Sequence, residues 1–177
     1  MTNKKRIATC WLDGCSGCHM SFLDMDELLL ELGDRLELVY SPLVDRKEFP
    51  DGVDLALLEG AVSTLDDAAK ARLVRSRSRL VAAVGDCAVT GNVPGMRNRL
   101  DNGELLELVY GRPGDDQPGP PTVDVPPLLP QCLPLHREIE VDVFLPGCPP
   151  PASGFVRLLE AVLEGRDLTE LPTLKFG

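Results

Sequence analysis

The chain lacks an excess of basic residues. Its 18 Lys and Arg are outnumbered by 28 Asp and Glu, which gives a formal net charge of -10. Proteins that bind nucleic acid need a positive surface to neutralise phosphates. The composition therefore argues against a nucleic-acid partner.

The chain also lacks a long hydrophobic run. No segment approaches the roughly 20 apolar residues that a membrane-spanning helix needs. The apolar run after the basic residues 4–6 ends at Leu12, which is too short for a secretory leader, and no twin-arginine pair precedes it. We expect a cytoplasmic protein without a membrane partner.

Six cysteines stand in this sequence. In a reducing compartment, they are expected to be metal ligands or buried thiols rather than disulfides. The segment Cys15-x-x-Cys18-His19 has the form of a c-type haem attachment motif. Because haem attachment usually follows export and nothing here directs export, we interpret Cys15 and Cys18 as part of another metal site. His19 is then expected to open a helix.

Predicted strands and helices alternate along the chain. Apolar runs predict strands at 6–12, 35–41, 53–58, 80–84 and 139–145, and helices are predicted at 19–32, 64–78 and 151–163. Thr64 and Asp67 form a capping-box pattern, Trp11 is expected in the core, and 104–110 fits either a helix or a strand. The alternation predicts an α/β fold: a flavodoxin-like, doubly wound, mainly parallel sheet with helices on both faces.

We expect residues 1–177 to form a single domain with a proline-rich insertion at about 111–134. This insertion holds eight of the 16 prolines, so it should not sustain a helix or a strand ladder for long. Two interpretations are open: a solvated loop, or a strap over a partner or over the metal site.

Four cysteines follow predicted strands. Cys15 and Cys18 come after the first strand, Cys87 after the strand 80–84, and Cys148 after the strand 139–145. Because ligands of such folds bind outside the carboxyl ends of the strands, these thiols should converge at one edge of the sheet. Cys10, inside the first strand, is expected to be a small buried hydrophobe. Cys132 is a spare thiol or, alternatively, a further ligand.

The sequence lacks the second close Cys-x-x-Cys pair that structural zinc sites usually have. A 4Fe-4S cluster, in contrast, accepts thiolates from distant loops. An α/β core of this length needs no metal to fold, which weakens the zinc hypothesis further. The residues favour a cluster, while zinc, a redox-active dithiol and chemically inert thiols remain alternatives.

Other residues near the predicted ligands bear on the chemistry of the site. Glycines adjoin the ligands, which lets the backbone approach closely; they are Gly14, Gly17, Gly85 and Gly147. Glu59 ends the third predicted strand. Its carboxylate is open to three interpretations: a solvated loop acid, an acceptor beside the ligands, or part of a proton path. The loop after the first strand is occupied by cysteines rather than a phosphate-binding Ser/Thr run, so FMN is not expected in this chain.

Four motifs together resemble the small subunit of nickel–iron hydrogenases, most of all that of the cytoplasmic, bidirectional NAD-reducing enzymes. The motifs are WLDGCSGCHMS at 11–21, LEGAV at 58–62, GDCA at 85–88 and GCPP at 147–150. The resemblance implies that Cys15, Cys18, Cys87 and Cys148 hold one proximal 4Fe-4S cluster. It also implies a large-subunit partner that carries the nickel–iron centre.

Respiratory members of that family have a twin-arginine leader and a second cysteine-rich part, and this sequence has neither. The resemblance therefore implies that electrons pass to a diaphorase module whose iron–sulfur and flavin subunits carry FMN and bind NAD. One alternative is the related cluster subunit of quinone-reducing complex I, which typically has adjacent cysteines in its first motif. A zinc-stabilised four-cysteine binding module is the alternative outside the family.

Overall fold

The computed structural model describes residues 4–111 and 119–168 of the chain. A main sheet and a two-stranded ladder contain the described strands: β1 (Lys5–Trp11), β2 (Leu36–Tyr40), β3 (Val53–Glu59), β4 (Val62–Thr64), β5 (Ser78–Val84), β6 (Leu128–Leu133) and β7 (Val143–Leu145). The described α-helices are α1 (Gly17–Leu23), α2 (Glu27–Leu32), α3 (Leu65–Arg77), α4 (Gly85–Thr90), α5 (Asn102–Tyr110) and α6 (Ala152–Glu164). Two short 3-10 helices are Pro94–Arg99 and Leu135–Arg137.

The main sheet is five-stranded and parallel, in the order β2-β1-β3-β5-β7. Counted along this sheet, the strands lie in the order 2-1-3-4-5, which is the flavodoxin-like order. The predicted α/β fold is therefore confirmed. The central strand β3 is apolar and buried along nearly its whole length, as expected of a parallel strand covered on both faces.

Helices cover both faces of the sheet, and each face has its own core. One core joins the sheet to α3 and α4, and the other joins it to α1, α2 and α6. In α6 the buried side chains recur every three or four residues, the spacing of one helix face. The α3 helix begins at the predicted capping box: the Asp67 amide donates to Thr64 Oγ1 at 3.1 Å, and the Thr64 amide donates to Asp67 Oδ2 at 2.9 Å.

Several predicted elements differ from the structure. The helix predicted at 19–32 is two helices, because the chain turns at Asp26, whose φ is 49°. The strand predicted at 139–145 is shorter, because Ile139 still belongs to the turn that follows the 3-10 helix Leu135–Arg137, where its amide donates to Leu135 O at 3.1 Å. The prediction of a core Trp11 is wrong: the side chain is 45% exposed at the end of β1, and its Nε1 donates to Gly14 O.

The ambiguous segment 104–110 belongs to a helix, α5, which Asp101 caps through its side chain. The proline-rich segment contributes the six-residue strand β6, which pairs antiparallel with β4. Its exposed Pro130 is tolerated because a two-stranded ladder has only edge strands. Residues 112–118 of this segment lie outside the described part. Among the helices described, not one is long and apolar enough to cross a membrane.

Candidate metal centre

One pocket at the carboxyl edge of the main sheet is lined by all four of the predicted ligands. Cys15 lies in the loop after β1 and Cys18 in the first turn of α1, while Cys87 lies in α4 and Cys148 follows β7. The pocket has a volume of about 120 Å³ and opens to solvent. Three loops that are distant in sequence therefore deliver thiols to one place.

The thiols are close enough to affect one another's ionisation. Burial raises the pKa of the Cys18 thiol, and the neighbouring Glu59, Cys87 and Cys15 raise it further. Burial also raises the pKa of Cys87, to which the negative charges of Cys148 and Cys15 add. Without a positive centre these two thiols therefore hold their protons. A bound metal would release the protons and turn the same groups into ligands.

The position of Gly85 between β5 and Cys87 requires glycine. Its φ is +79°, and a Cβ built on it would lie less than 3.0 Å from Cys18 Sγ. The α4 backbone thus approaches a thiol of another loop more closely than any side chain would permit.

A reciprocal pair of hydrogen bonds joins the Cys87 loop to the Cys148 loop. The Asp86 amide donates to Gly147 O at 2.9 Å, and the Gly147 amide donates to Asp86 Oδ1 at 2.7 Å. This clamp keeps Cys87 and Cys148 at the same pocket although they lie about 60 residues apart. No pattern in the sequence indicated this role for Asp86.

The Cys15 loop is fixed in a similar way. Asp13 and Ala61 form an antiparallel bridge, with hydrogen bonds of 3.0 Å and 2.7 Å between their amides and carbonyls. The loop after β3 therefore supports the first ligand loop. Ser16 then enters the left-handed region, with φ of 67°, before α1 begins.

Glu59 is buried, not a solvated loop acid, with only 3% of its surface exposed. Its Oε2 accepts the backbone N–H of His19 at 2.8 Å. Its Oε1 lies 3.0 Å from His19 Nδ1, an ion-pair distance without hydrogen-bond geometry. His19 Nε2 is 2.9 Å from Thr9 Oγ1, so the imidazole points into the interior. This orientation does not suit an axial haem ligand beside Cys15 and Cys18.

The two remaining cysteines do not line the pocket. Cys10 is buried in β1 with 1% exposure, and burial raises its pKa to about 12. Cys132 is buried in β6. Its backbone amide donates to Asn98 Oδ1, and its carbonyl accepts from Asn98 Nδ2. Since no described residue of 111–134 lines the pocket, the structure supports neither Cys132 as a further ligand nor a strap over the metal site.

Zinc and a 4Fe-4S cluster place different demands on four thiols. A zinc ion draws four sulfurs to about 2.3 Å from itself and so to about 3.8 Å from one another. Within residues 4–111 and 119–168, however, no three Cys, His, Asp or Glu side chains lie close enough to hold a single ion. A 4Fe-4S cube binds each thiolate at a different iron and so needs a wider ring of sulfurs. A pocket lined by four thiols provides the donor set that a 4Fe-4S cluster uses.

Comparison with known proteins places the chain in a family. Residues 15–162 match the family described as NADH ubiquinone oxidoreductase, 20 Kd subunit. The chain is 38% identical over 170 residues to a subunit of the F420-non-reducing hydrogenase vhu of Methanocaldococcus jannaschii, covering 95% of this chain but 59% of that relative. It thus spans about 60% of the length of such relatives.

Two further relatives match over most of their length. The chain is 35% identical over 175 residues to NAD-reducing hydrogenase HoxS subunit delta of Cupriavidus necator, covering 96% of this chain and 83% of that subunit. A crystal structure of NAD+-reducing [NiFe]-hydrogenase in the H2-reduced state contains a chain that superposes with a TM-score of 0.89 at 38% identity. The match covers 99% of this chain and 100% of that one.

These matches confirm the resemblance that the four motifs indicated. The likeness extends through the whole described fold and includes the segments that bear Cys15, Cys18, Cys87 and Cys148. The chain therefore belongs to the family of the 20 kDa subunit of NADH ubiquinone oxidoreductase, in its branch of hydrogenase small subunits.

Proposed function

We propose that the chain is the electron-transfer small subunit of an NAD-reducing nickel–iron hydrogenase, and that Cys15, Cys18, Cys87 and Cys148 hold one proximal 4Fe-4S cluster. The observation that carries this proposal is the pocket lined by these four thiols, which three separate loops deliver to one edge of the sheet. The NAD-reducing relative that matches this chain over most of its length supports the same assignment.

When bound, a 4Fe-4S cluster supplies one-electron transfer. The residues of the chain provide a holder with one protected and one open side. Cys18 and Cys87 are partly buried, whereas Cys15 and Cys148 are exposed. Behind Cys18 lie the apolar side chains of Leu57, Val84 and Phe155, together with the buried polar side chains of Thr9, His19 and Glu59. Water is thus kept from the inner side, and the outer side is free for a redox partner.

Glu59 has a place in this proposal as a positioning residue. It holds the amide of His19, the residue after the ligand Cys18, and so orients the first turn of α1. Its carboxylate also sets a negative charge beside Cys18. A negative charge at that point disfavours the added electron, so Glu59 should lower the reduction potential of the cluster.

The proposal includes two kinds of partner. A large subunit would carry the nickel–iron centre, and diaphorase subunits with iron–sulfur clusters would carry FMN and bind NAD. Two large apolar side chains flank the ligand loop and suit such a contact: Trp11 is 45% exposed and Met20 59%. A cytoplasmic location is also part of the proposal, in keeping with six cysteines that are all free thiols.

The alternatives have less support. A zinc-stabilised binding module would need a single-ion site, and the described residues offer no such grouping. A complex I-like cluster subunit belongs to the same family but typically has adjacent cysteines in its first motif, whereas Cys15 and Cys18 are separated by two residues. The similar proteins from Methanocaldococcus jannaschii and Cupriavidus necator are hydrogenase subunits.

The test is metal analysis of the chain purified without oxygen, together with its visible and electron paramagnetic resonance spectra. We expect iron and acid-labile sulfide in equal amounts, four of each per chain as a 4Fe-4S cluster requires, and a paramagnetic signal on reduction. With its copurifying subunits, the preparation should reduce NAD+ with H2. A colourless protein with one zinc per chain would overturn the cluster assignment, and a cluster without H2-dependent NAD+ reduction would overturn the physiological role.

A further inference from the structure

The side chain of Asn92 reaches a predicted ligand from another loop. Asn92 follows Gly91, the left-handed residue that ends α4, and has a positive φ of 30° itself. The Gly91 amide donates to the carbonyl of Cys87 at 3.0 Å, so this turn is anchored to one ligand residue. The chain reversal then directs the Asn92 side chain toward the loop that bears Cys148.

The contact itself is a hydrogen bond to sulfur. Asn92 Nδ2 lies 3.7 Å from Cys148 Sγ, within the range of an N–H···S bond. A thiolate can only accept, and the amide NH2 can only donate, so this orientation is the one that satisfies both groups. Because Cys148 is among the exposed ligands, its charge is not otherwise shielded by the protein core.

We propose that Asn92 tunes the reduction potential of the cluster through its hydrogen bond to Cys148. The inference rests on the proposed function, since it requires Cys148 to be a cluster ligand. A donor at a ligand sulfur withdraws negative charge from it and so stabilises the more negative, reduced state. Asn92 thereby acts in the opposite sense to the buried carboxylate of Glu59.

The size of the effect follows from the strength of one hydrogen bond. A net contribution typical of a single bond changes an equilibrium constant about fivefold. The bond is present in both oxidation states, and only the gain in its strength on reduction shifts the equilibrium. Without the Asn92 donor, the ratio of reduced to oxidised cluster at a fixed potential should therefore fall by up to about fivefold. A carboxylate at the same position should lower that ratio further, because it places a negative charge against the sulfur.

Asn92 also has a plain structural explanation, because asparagine tolerates left-handed turns after helices. Asn92→Gly separates the two roles: glycine adopts a positive φ without strain but donates nothing to sulfur. Asn92→Asp keeps the shape and the turn preference and removes the NH2. Asp124→Gly is the matched control, since Asp124 is another exposed residue with positive φ, at 57°, and does not line the cysteine pocket.

The experiment is a redox titration monitored by electron paramagnetic resonance on the purified protein with its copurifying subunits, together with iron counting. We expect unchanged iron content and a lower potential in both Asn92 variants, lowest in Asn92→Asp, with no change in Asp124→Gly. As a second readout, resonance Raman spectra of the oxidised cluster should show a changed Fe–S(Cys) stretch in the same two variants.

The outcomes separate the inference from the proposed function. A wild-type chain without iron–sulfur signals would refute both the proposed function and the inference about Asn92. A wild-type cluster whose potential is the same in Asn92→Gly as in the parent would refute the role of Asn92 alone. If Asn92→Gly loses iron, the test is the Fe–S(Cys) Raman stretch of Asn92→Asp. An unchanged stretch in that variant would equally refute the role of Asn92.

Discussion

Substitution of Gly85 by alanine should damage the metal centre far more than its small size suggests. Gly85 has a φ of +79°, and a left-handed conformation costs an alanine about 1–2 kcal/mol. The new methyl group would in addition overlap Cys18 Sγ, so Cys18 or the start of α4 must move. Overpacking of this kind typically costs a further 1–3 kcal/mol. The total expected loss in the free energy of unfolding is about 2–5 kcal/mol.

Gly165→Ala provides a matched control. Gly165 also has a positive φ, +66°, but a Cβ there would meet no atom of the described chain within 4 Å. This variant should therefore lose only the backbone part, about 1–2 kcal/mol, and keep its iron. The difference between the two variants isolates the overlap with Cys18.

The assay is urea unfolding followed by circular dichroism, with iron counted on the same preparations. Gly85→Ala should unfold at lower urea than Gly165→Ala and contain less iron per chain. Equal midpoints for the two variants, or full iron content in Gly85→Ala, would refute the requirement that the α4 backbone approach Cys18 closely.

Asp86, Cys148 and Cys10 offer three further tests. Asp86→Ala should lower the free energy of unfolding by about 1.5–3 kcal/mol and speed iron loss to a chelator, because the Gly147 amide loses a charged acceptor. Asp86→Asn keeps an acceptor oxygen and should retain most of the stability and most of the iron. Identical iron-loss rates in the two variants would contradict the clamp. Cys148→Ala should abolish the cluster signal, whereas Cys10→Ala, which removes a thiol outside the pocket, should keep its iron; equal iron loss would overturn the ligand assignment. Burial raises the pKa of Cys10 from 9.0 to about 12, so the contribution of this thiol to stability is fully present below pH 9 and is lost as the pH rises toward 12. The free energy of unfolding should therefore decline less steeply at alkaline pH in Cys10→Ala than in the parent. Parallel curves for the two proteins would contradict a buried, protonated Cys10.

The sequence alone predicted the architecture and the candidate ligands because both depend on local patterns. Buried parallel strands appear as continuous apolar runs, and α3 begins at a capping box that spans four residues. Given a parallel sheet, every loop after a strand lies at the same edge, so cysteines placed after strands could be assigned to one site before any coordinates were known.

Local patterns also explain where prediction failed. The apolar spacing of 19–32 continues through the break at Asp26, so it could not reveal two helices. An aromatic residue at the end of an apolar strand is usually buried, but Trp11 lies where β1 leaves the sheet at the pocket edge. In the proline-rich segment, β6 forms because β4 offers it a partner, which is information that lies about 65 residues away.

What the sequence determined by itself is the five strands of the main sheet, the placement of four thiols after strands, and the family to which these motifs belong. The tertiary structure alone decided that Asp86 clamps two ligand loops, that Glu59 is buried against His19, and that Asn92 faces the sulfur of Cys148. These contacts join residues about 40–60 positions apart, and their geometry depends on how the loops pack. Periodicity carries no record of such distances, because it reports only on neighbours along the chain.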